Sequence, residues 1–227
     1  MKPLLSGMQD SDELQDIGRA SIQIVHDLKN QLNGLKLYAT FLRRRLEKND
    51  RPSDEQETVI KLIAGLERAA EDLSIIVRYS RPLELKKQPG VDIQKIMRNV
   101  CASLTENKSS TGSLLGPLLI DGEQESLVGE FDSTLLADAF RAISVGALKI
   151  NRNNPNDQGI VIRFSKSAEA TVVIEWSGLV RLDHDPFRSF IGSDEIRMSF
   201  AAKILEAHGG TAIYDDNVLR VRLPLAA

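Results

Sequence analysis

His26, Asp27 and Asn30 fall within five consecutive residues. An imidazole nitrogen attacks phosphorus only when it can be presented in line with the incoming group, which demands an exposed position. A carboxylate next to the ring can hold it and favour the nucleophilic tautomer. An amide one helical turn on, over the same face, can position a water or donate to a phosphoryl oxygen. A solvated surface histidine would produce the same short pattern, so the meaning rests on the element that carries it.

That element is a long helix. Leu14, Ile17, Ser21, Ile24, Leu28, Gln31, Leu35, Tyr38 and Leu42 alternate spacings of three and four, an a/d heptad seam with polar interruptions. A flanking line of Val25, Leu32, Ala39 and Leu46 widens the apolar stripe to that of a bundle helix. With Ile24 at d and Leu28 at a, His26 takes position f and points away from the bundle core. Asn49 to Pro52 form a turn, and Ser53 with Gln56 reads as a capping box. The second helix carries Val59, Leu62, Leu66, Ala69, Leu73 and Ile76, flanked by Ile63, Ala70 and Val77, and ends at Arg81-Pro82. One antiparallel hairpin cannot bury both of its apolar lines. Two hairpins about a two-fold axis can, as a four-helix bundle.

The charged segment 83–90, with Pro89 and Gly90, reads as a linker. Beyond it the pattern predicts a helix over Val91 to Leu104 and a polar loop over Glu106 to Gly116. A helix over Asp132 to Ile150 and a turn cluster over Asn151 to Gly159 follow. Strands are predicted over Ile160 to Phe164 and Thr171 to Trp176. A helix over Ile196 to Ala207 is capped by Gly209-Gly210, and Thr211 to Tyr214 with Val218 to Leu223 form a closing hairpin. The second half is therefore mixed α+β, with helices against a sheet.

Composition narrows the classes. The 227 residues have room for one large or two small domains, and the apolar share of 42% is ordinary for a globular chain. A net charge of -3 offers no nucleic-acid or membrane surface. The single cysteine, Cys101, excludes an intrachain disulfide and suits a reducing compartment. No apolar run reaches the ~20 residues of a spanning helix. The start, MKPLLSGMQDSDELQD, has no signal-peptide apolar core, so a cytoplasmic location is expected. Three histidines are few for a metal site. Asp183-His184-Asp185 reads as a solvated loop, Arg43-Arg44-Arg45 as a solvated helix face, and His208 as a helix-end residue. Trp176 and Cys101 read as core.

The run His26-Asp27-Leu28-Lys29-Asn30-Gln31-Leu32 resembles the H-box of sensor histidine kinases, matching that pattern at six of seven positions. Gln31 stands where the family usually has proline, which predicts a straighter helix after the histidine. The resemblance continues to the end of the chain. Lys203 to Gly210, followed by Leu223-Pro224-Leu225, resembles the close of a histidine-kinase ATPase domain, and Asp132 to Lys149 resembles its N-box helix. In that alignment the magnesium-binding asparagine falls on Gly146, and the other N-box asparagine on Ala142. The adenine-binding aspartate falls on Trp176, with Glu175 adjacent, and only Gly178 remains of its glycine motif. The phosphate loop falls on Ser193 to Met198 and holds none of its glycines. Each lost buried polar contact is worth about 1–3 kcal/mol. Two or three together weaken binding by several powers of ten at ~1.4 kcal/mol per tenfold.

The resemblance implies an α+β chain. Residues 1–82 would form a helical hairpin that makes a dimeric four-helix bundle, 83–90 a linker, and 91–227 a degenerate histidine-kinase-like α/β sandwich. It implies a histidine phosphotransferase of a phosphorelay, acting as a homodimer with response-regulator receiver domains and no nucleic acid or membrane. His26 would carry the phosphoryl group, Asp27 orient the ring, and Asn30 assist positioning or receiver dephosphorylation. No tightly bound cofactor is expected: magnesium would come with the receiver, and ATP would not bind. Two alternatives stand beside it, an active histidine kinase with an atypical ATP site and a pseudokinase scaffold for a kinase or receiver.

Overall fold

The computed structural model describes residue 25 and residues 28–44, 53–111, 117–122, 126–153, 159–167 and 170–225. The chain divides into two compact units, Met1–Pro82 and Leu83–Ala227.

In the first unit, helix α1 covers residues 28–44 and helix α2 covers Ser53–Ser80. The Lys36 ammonium meets the Glu67 carboxylate at 2.7 Å across the antiparallel pair. The side chains that the hairpin buries come from the flanking lines: Ala39 and Ile63 are its buried apolar residues among those described. The heptad seam is left open. Leu28, Leu35, Tyr38 and Leu42 are 43 to 68% exposed.

The second unit is a two-layer sandwich. A five-stranded sheet runs in the order β2-β4-β5-β7-β6, where β2 is Leu118–Asp121, β4 Ile160–Ser167, β5 Thr171–Ser177, β6 Thr211–Asp215 and β7 Val218–Pro224. Only β2 and β4 pair parallel; the other neighbours are antiparallel. Strand alternation sends Ile160, Ile162, Val172, Ile174, Trp176, Leu219, Val221 and Leu223 to one face, where all are fully buried. Helices α3 (Ile93–Thr111), α4 (Ser133–Ile150) and α5 (Ser193–Ala207) supply the rest of the core. Strands β1 (Gln88–Asp92) and β3 (Val128–Phe131) form a separate antiparallel pair.

The opposite face of the sheet carries a row of alternating charge. Register aligns Asp121, Arg163, Glu175 and Arg220 across four strands. Arg163 donates to Asp121 at 2.8 and 3.1 Å, and Arg220 donates to Glu175 at 2.6 Å.

Local rules explain the element ends. Asp132 caps α4 by accepting from the amides of Thr134 and Leu135. Asp92 accepts from Gln94 and Lys95 at the start of α3. Gly209, at φ 80°, closes α5, and the Gly210 amide reaches back to the Leu205 carbonyl at 2.9 Å. Asp216 and Asn217 both have positive φ, the turn that matches the twist of the β6–β7 hairpin.

The expected linker and first helix need correcting. Gln88 to Gly90 belong to β1, and Val91 is strand rather than helix. Proline and glycine are tolerated here because the strand pairs on one side only and its register shifts between Gln88 and Val91. The polar stretch from Glu106 is helical as far as Thr111. Strands β2 and β3 have four residues each, too few for periodicity to reveal.

Candidate functional site

His26 and Asp27 lie outside the described residues. Asn30 is exposed on α1. Between the two helices runs an open groove of about 610 Å³ lined by Lys29, Asn33, Lys36, Ala64, Glu67, Arg68, Ala70, Glu71 and Ser74. Its walls carry charges of both signs. Asn33 follows His26 by seven residues, so it shares heptad position f, as does Thr40. That recurrence was the signal by which the groove could have been found from the sequence.

In the second unit the nucleotide-site positions of the family resemblance are occupied by packing. Trp176 is fully buried, its indole nitrogen donates to Ser144 Oγ at 3.0 Å, and its ring packs against Phe140 with centroids 6.4 Å apart. Gly146 is buried on α4 directly beneath Met198 of α5: a Cβ there would stand 2.3 Å from the Met198 sulfur. Gly178 has φ +91°, and a Cβ there would meet the Gly159 carbonyl oxygen at 2.7 Å. The surviving glycine is therefore required by the backbone itself.

Ser193 to Met198 is not a loop. It is the first turn and a half of α5, which begins three residues before the predicted Ile196. Asp194 and Glu195 in that turn suit the positive end of the helix dipole. Their carboxylates are engaged. Asp194 meets the Lys149 ammonium at 2.6 Å, while Glu195 accepts from His184 at 2.8 Å and from the Ser189 hydroxyl. Burial alone would raise the Glu195 carboxyl, yet the bonds from Ser189 and His184 hold it below the ordinary carboxylate value. Together these bonds pin the loop 183–191 to α5. Asp183 and His184 are exposed, and no group of three or more potential metal ligands occurs among the described residues.

His208 is more than a helix-end residue. It is 2% exposed, its Nε2 accepts from the Asp132 amide at 3.0 Å, and its Nδ1 lies 2.8 Å from the Ile204 carbonyl oxygen. Cys101 is buried, which pushes its thiol up to about 11.

No protein-family model matches the chain, and no curated protein does. Solved structures do. Full-length ShkA, crystallised in complex with AMPPNP, superposes with a TM-score of 0.66 at 16% identity over 90% of this chain. This chain spans 45% of the length of that one. The Acinetobacter baumannii histidine kinase AdeS superposes with a TM-score of 0.57 at 13% identity, covering 85% of this chain and 96% of its own. Among the described residues no helix is long and apolar enough to cross a membrane. The chain has a histidine-kinase-like architecture of mixed helix and sheet.

Proposed function

We propose that the protein is a dimeric histidine phosphotransferase of two-component signalling, relaying phosphate between receiver domains through His26 without using ATP itself. The observation that supports this reading is the packing at the positions where the resemblance places the nucleotide contacts. Met198 occupies the space that an asparagine at position 146 would need, and Trp176 is built into the core where the resemblance places the adenine-binding aspartate. On this reading nucleotide is not held there, and the chemistry is left to the first helix.

In the proposed reaction a His26 ring nitrogen bonds phosphorus as the acyl P–O bond of a receiver aspartyl phosphate breaks. The receiver aspartate leaves as a free carboxylate, and the reverse step loads a second receiver. Asp27 holds the proton on the other ring nitrogen, and Asn30 positions a phosphoryl oxygen or a water. Magnesium arrives with the receiver. The groove through Lys29, Asn33 and Lys36 continues the heptad face of His26 and offers charged walls to a receiver helix. The exposed seam of Leu28, Leu35, Tyr38 and Leu42 supports a second copy as its cover, giving the four-helix bundle.

The test is acid-labile, base-stable phosphate on the protein after incubation with a panel of phosphorylated receivers. Wild type labels and His26→Gln does not. Asp27→Asn slows labelling, and Asn30→Ala affects phosphate removal from the receiver more than transfer to His26. Calorimetry with ATP and magnesium gives no measurable heat. Micromolar ATP affinity with ATP-dependent label on His26 would instead establish the active kinase, the reading favoured by the likeness to full-length ShkA, crystallised with AMPPNP. A receiver that binds tightly yet labels nothing makes the protein a scaffold.

A further inference from the structure

The segment that leads out of the helical unit meets the sandwich at a buried hydrogen-bond chain. The Lys86 amide donates to Asp132 Oδ2 at 2.9 Å. The other carboxylate oxygen, Oδ1, accepts from Thr134 and Leu135 at the start of α4. The Asp132 amide in turn donates to His208 Nε2 at 3.0 Å. A backbone N–H can only donate, so Nε2 must present its lone pair. A carbonyl can only accept, so Nδ1, 2.8 Å from the Ile204 oxygen, must carry the hydrogen. Both neighbours thus demand a neutral ring of one tautomer.

We propose that His208 and Asp132 form a proton-sensitive anchor for the segment connecting the two units. A proton added at Nε2 would set N–H against N–H. Either the ring turns or the Asp132 amide withdraws. Asp132 is at once the partner of the ring, the cap of α4 and the acceptor for Lys86, so a shift at its backbone reaches all three contacts. With His208 neutral, Lys86 is held to the cap, four residues past the end of the helical unit at Pro82. With His208 protonated, residues 83–87 are freed up to the start of β1 at Gln88.

Burial pushes the His208 ring below its ordinary value, the bond to Ile204 opposes this, Lys87 adds to it, and Asp132 opposes it. Lys87 and Asp132 are the charged groups acting on the ring from the elements packed against it. Phe131 of β3 contributes an uncharged ring at 5.9 Å.

The experiment follows the His208 ring by nitrogen NMR and backbone amide exchange in the full-length protein, corrected for the intrinsic pH dependence of exchange. A single Nδ1–H tautomer is expected near pH 8. Protection of the Lys86 amide should fall at least tenfold as His208 titrates, while Ile174 in the central strand keeps its protection. In His208→Gln, whose amide oxygen can accept from Asp132 but does not titrate, Lys86 protection should no longer depend on pH. If that variant does not fold, Lys87→Glu provides the second arm. Reversing this exposed charge should raise the ring's titration point, and the release of Lys86 should move upward with it. The proposal is overturned if Lys86 protection is unchanged through the titration, if it is lost in step with Ile174, or if the two midpoints separate in Lys87→Glu.

Discussion

The indole nitrogen of Trp176 donates to the Ser144 hydroxyl at 3.0 Å, and neither side chain is exposed to solvent. The bond ties the central strand β5 to helix α4 through the middle of the core. Removing the hydroxyl strands the indole N–H. Ser144→Ala should therefore cost about 1–3 kcal/mol in urea unfolding. Trp176→Ala, which also empties a large volume, should cost about 3–5 kcal/mol. The chain has one tryptophan, so its fluorescence reports this core alone and follows unfolding of Ser144→Ala directly.

Gly146→Asn would install the residue type that the kinase resemblance expects. Its Cβ would collide with the Met198 sulfur, so the variant should be destabilised by about 1–3 kcal/mol. Met198→Ala alone opens a cavity at a cost of about 2–5 kcal/mol. Together the two changes should cost less than their sum, because the collision is relieved. Thermal unfolding of the four proteins closes this cycle. Strict additivity would mean that the two side chains do not compete for one space.

In the proposed bundle, Leu28→Asp should convert dimer to monomer. Leu28 lies on the exposed heptad seam, and in a bundle the new carboxylate would be buried without a partner. Light scattering at micromolar concentration reads the mass. A wild-type monomer under the same conditions counts heavily against the bundle.

His26→Gln should leave dimerisation and folding in place while abolishing label. The heptad pattern expects His26 at an outward position, where no packing would depend on the imidazole, and surface substitutions usually cost within ~0.5 kcal/mol. Matching urea midpoints for the two proteins check this. A large loss of stability would mean that the ring is part of the core.

Acid should weaken the sandwich in two stages. The folded value of His208 lies below 6.5, so the unfolded chain binds the proton more readily. That contribution is complete above 6.5 and declines as the pH falls through the window beneath it. Burial would raise the Asp132 carboxyl, but the amides of Leu135, Lys86 and Thr134 hold it below 3.8. Its contribution is complete above 3.8 and is lost as the pH falls through the lower folded value. Urea midpoints across pH should thus be flat near pH 8, decline below 6.5 and fall again in strong acid. His208→Gln should remove the first decline only.

Periodicity carried much of this fold. The α2 apolar line, the strands β4 and β5, and the closing hairpin were all legible because each repeats its pattern over several residues. Strands β1, β2 and β3 were not, since four or five residues hold too little alternation and β1 contains a proline and a glycine. Trp176 was legible as core from its flanking alternation, but its bond to Ser144 was not, because the two are 32 residues apart. The sequence pattern counted Asp132 as the first residue of the helix, and the structure makes it the cap just before Ser133. Its partnership with His208, 76 residues away, needed the tertiary structure. The heptad seam from Leu14 to Ile24 lies outside the described residues, and its described members Leu28, Leu35, Tyr38 and Leu42 are exposed, while the hairpin buries Ala39 and Ile63 of the flanking lines. Which of two apolar stripes packs within a chain and which stays open depends on the turn between the helices, and the pattern alone does not encode that choice.

The row Asp121, Arg163, Glu175 and Arg220 has a consequence for how the sheet looks from a distance. Neighbouring strands lie about 4.8 Å apart, and the charges alternate at each step. Their sum is zero, so the row acts on its surroundings as a dipole rather than a net charge, and its field falls off faster with distance than that of a net charge. Asp121 and Arg163 are about half exposed and keep their end of the row in water, while Glu175 and Arg220 are mostly covered. With no net charge, the row does not make this face an attractor for acidic or basic molecules diffusing past it.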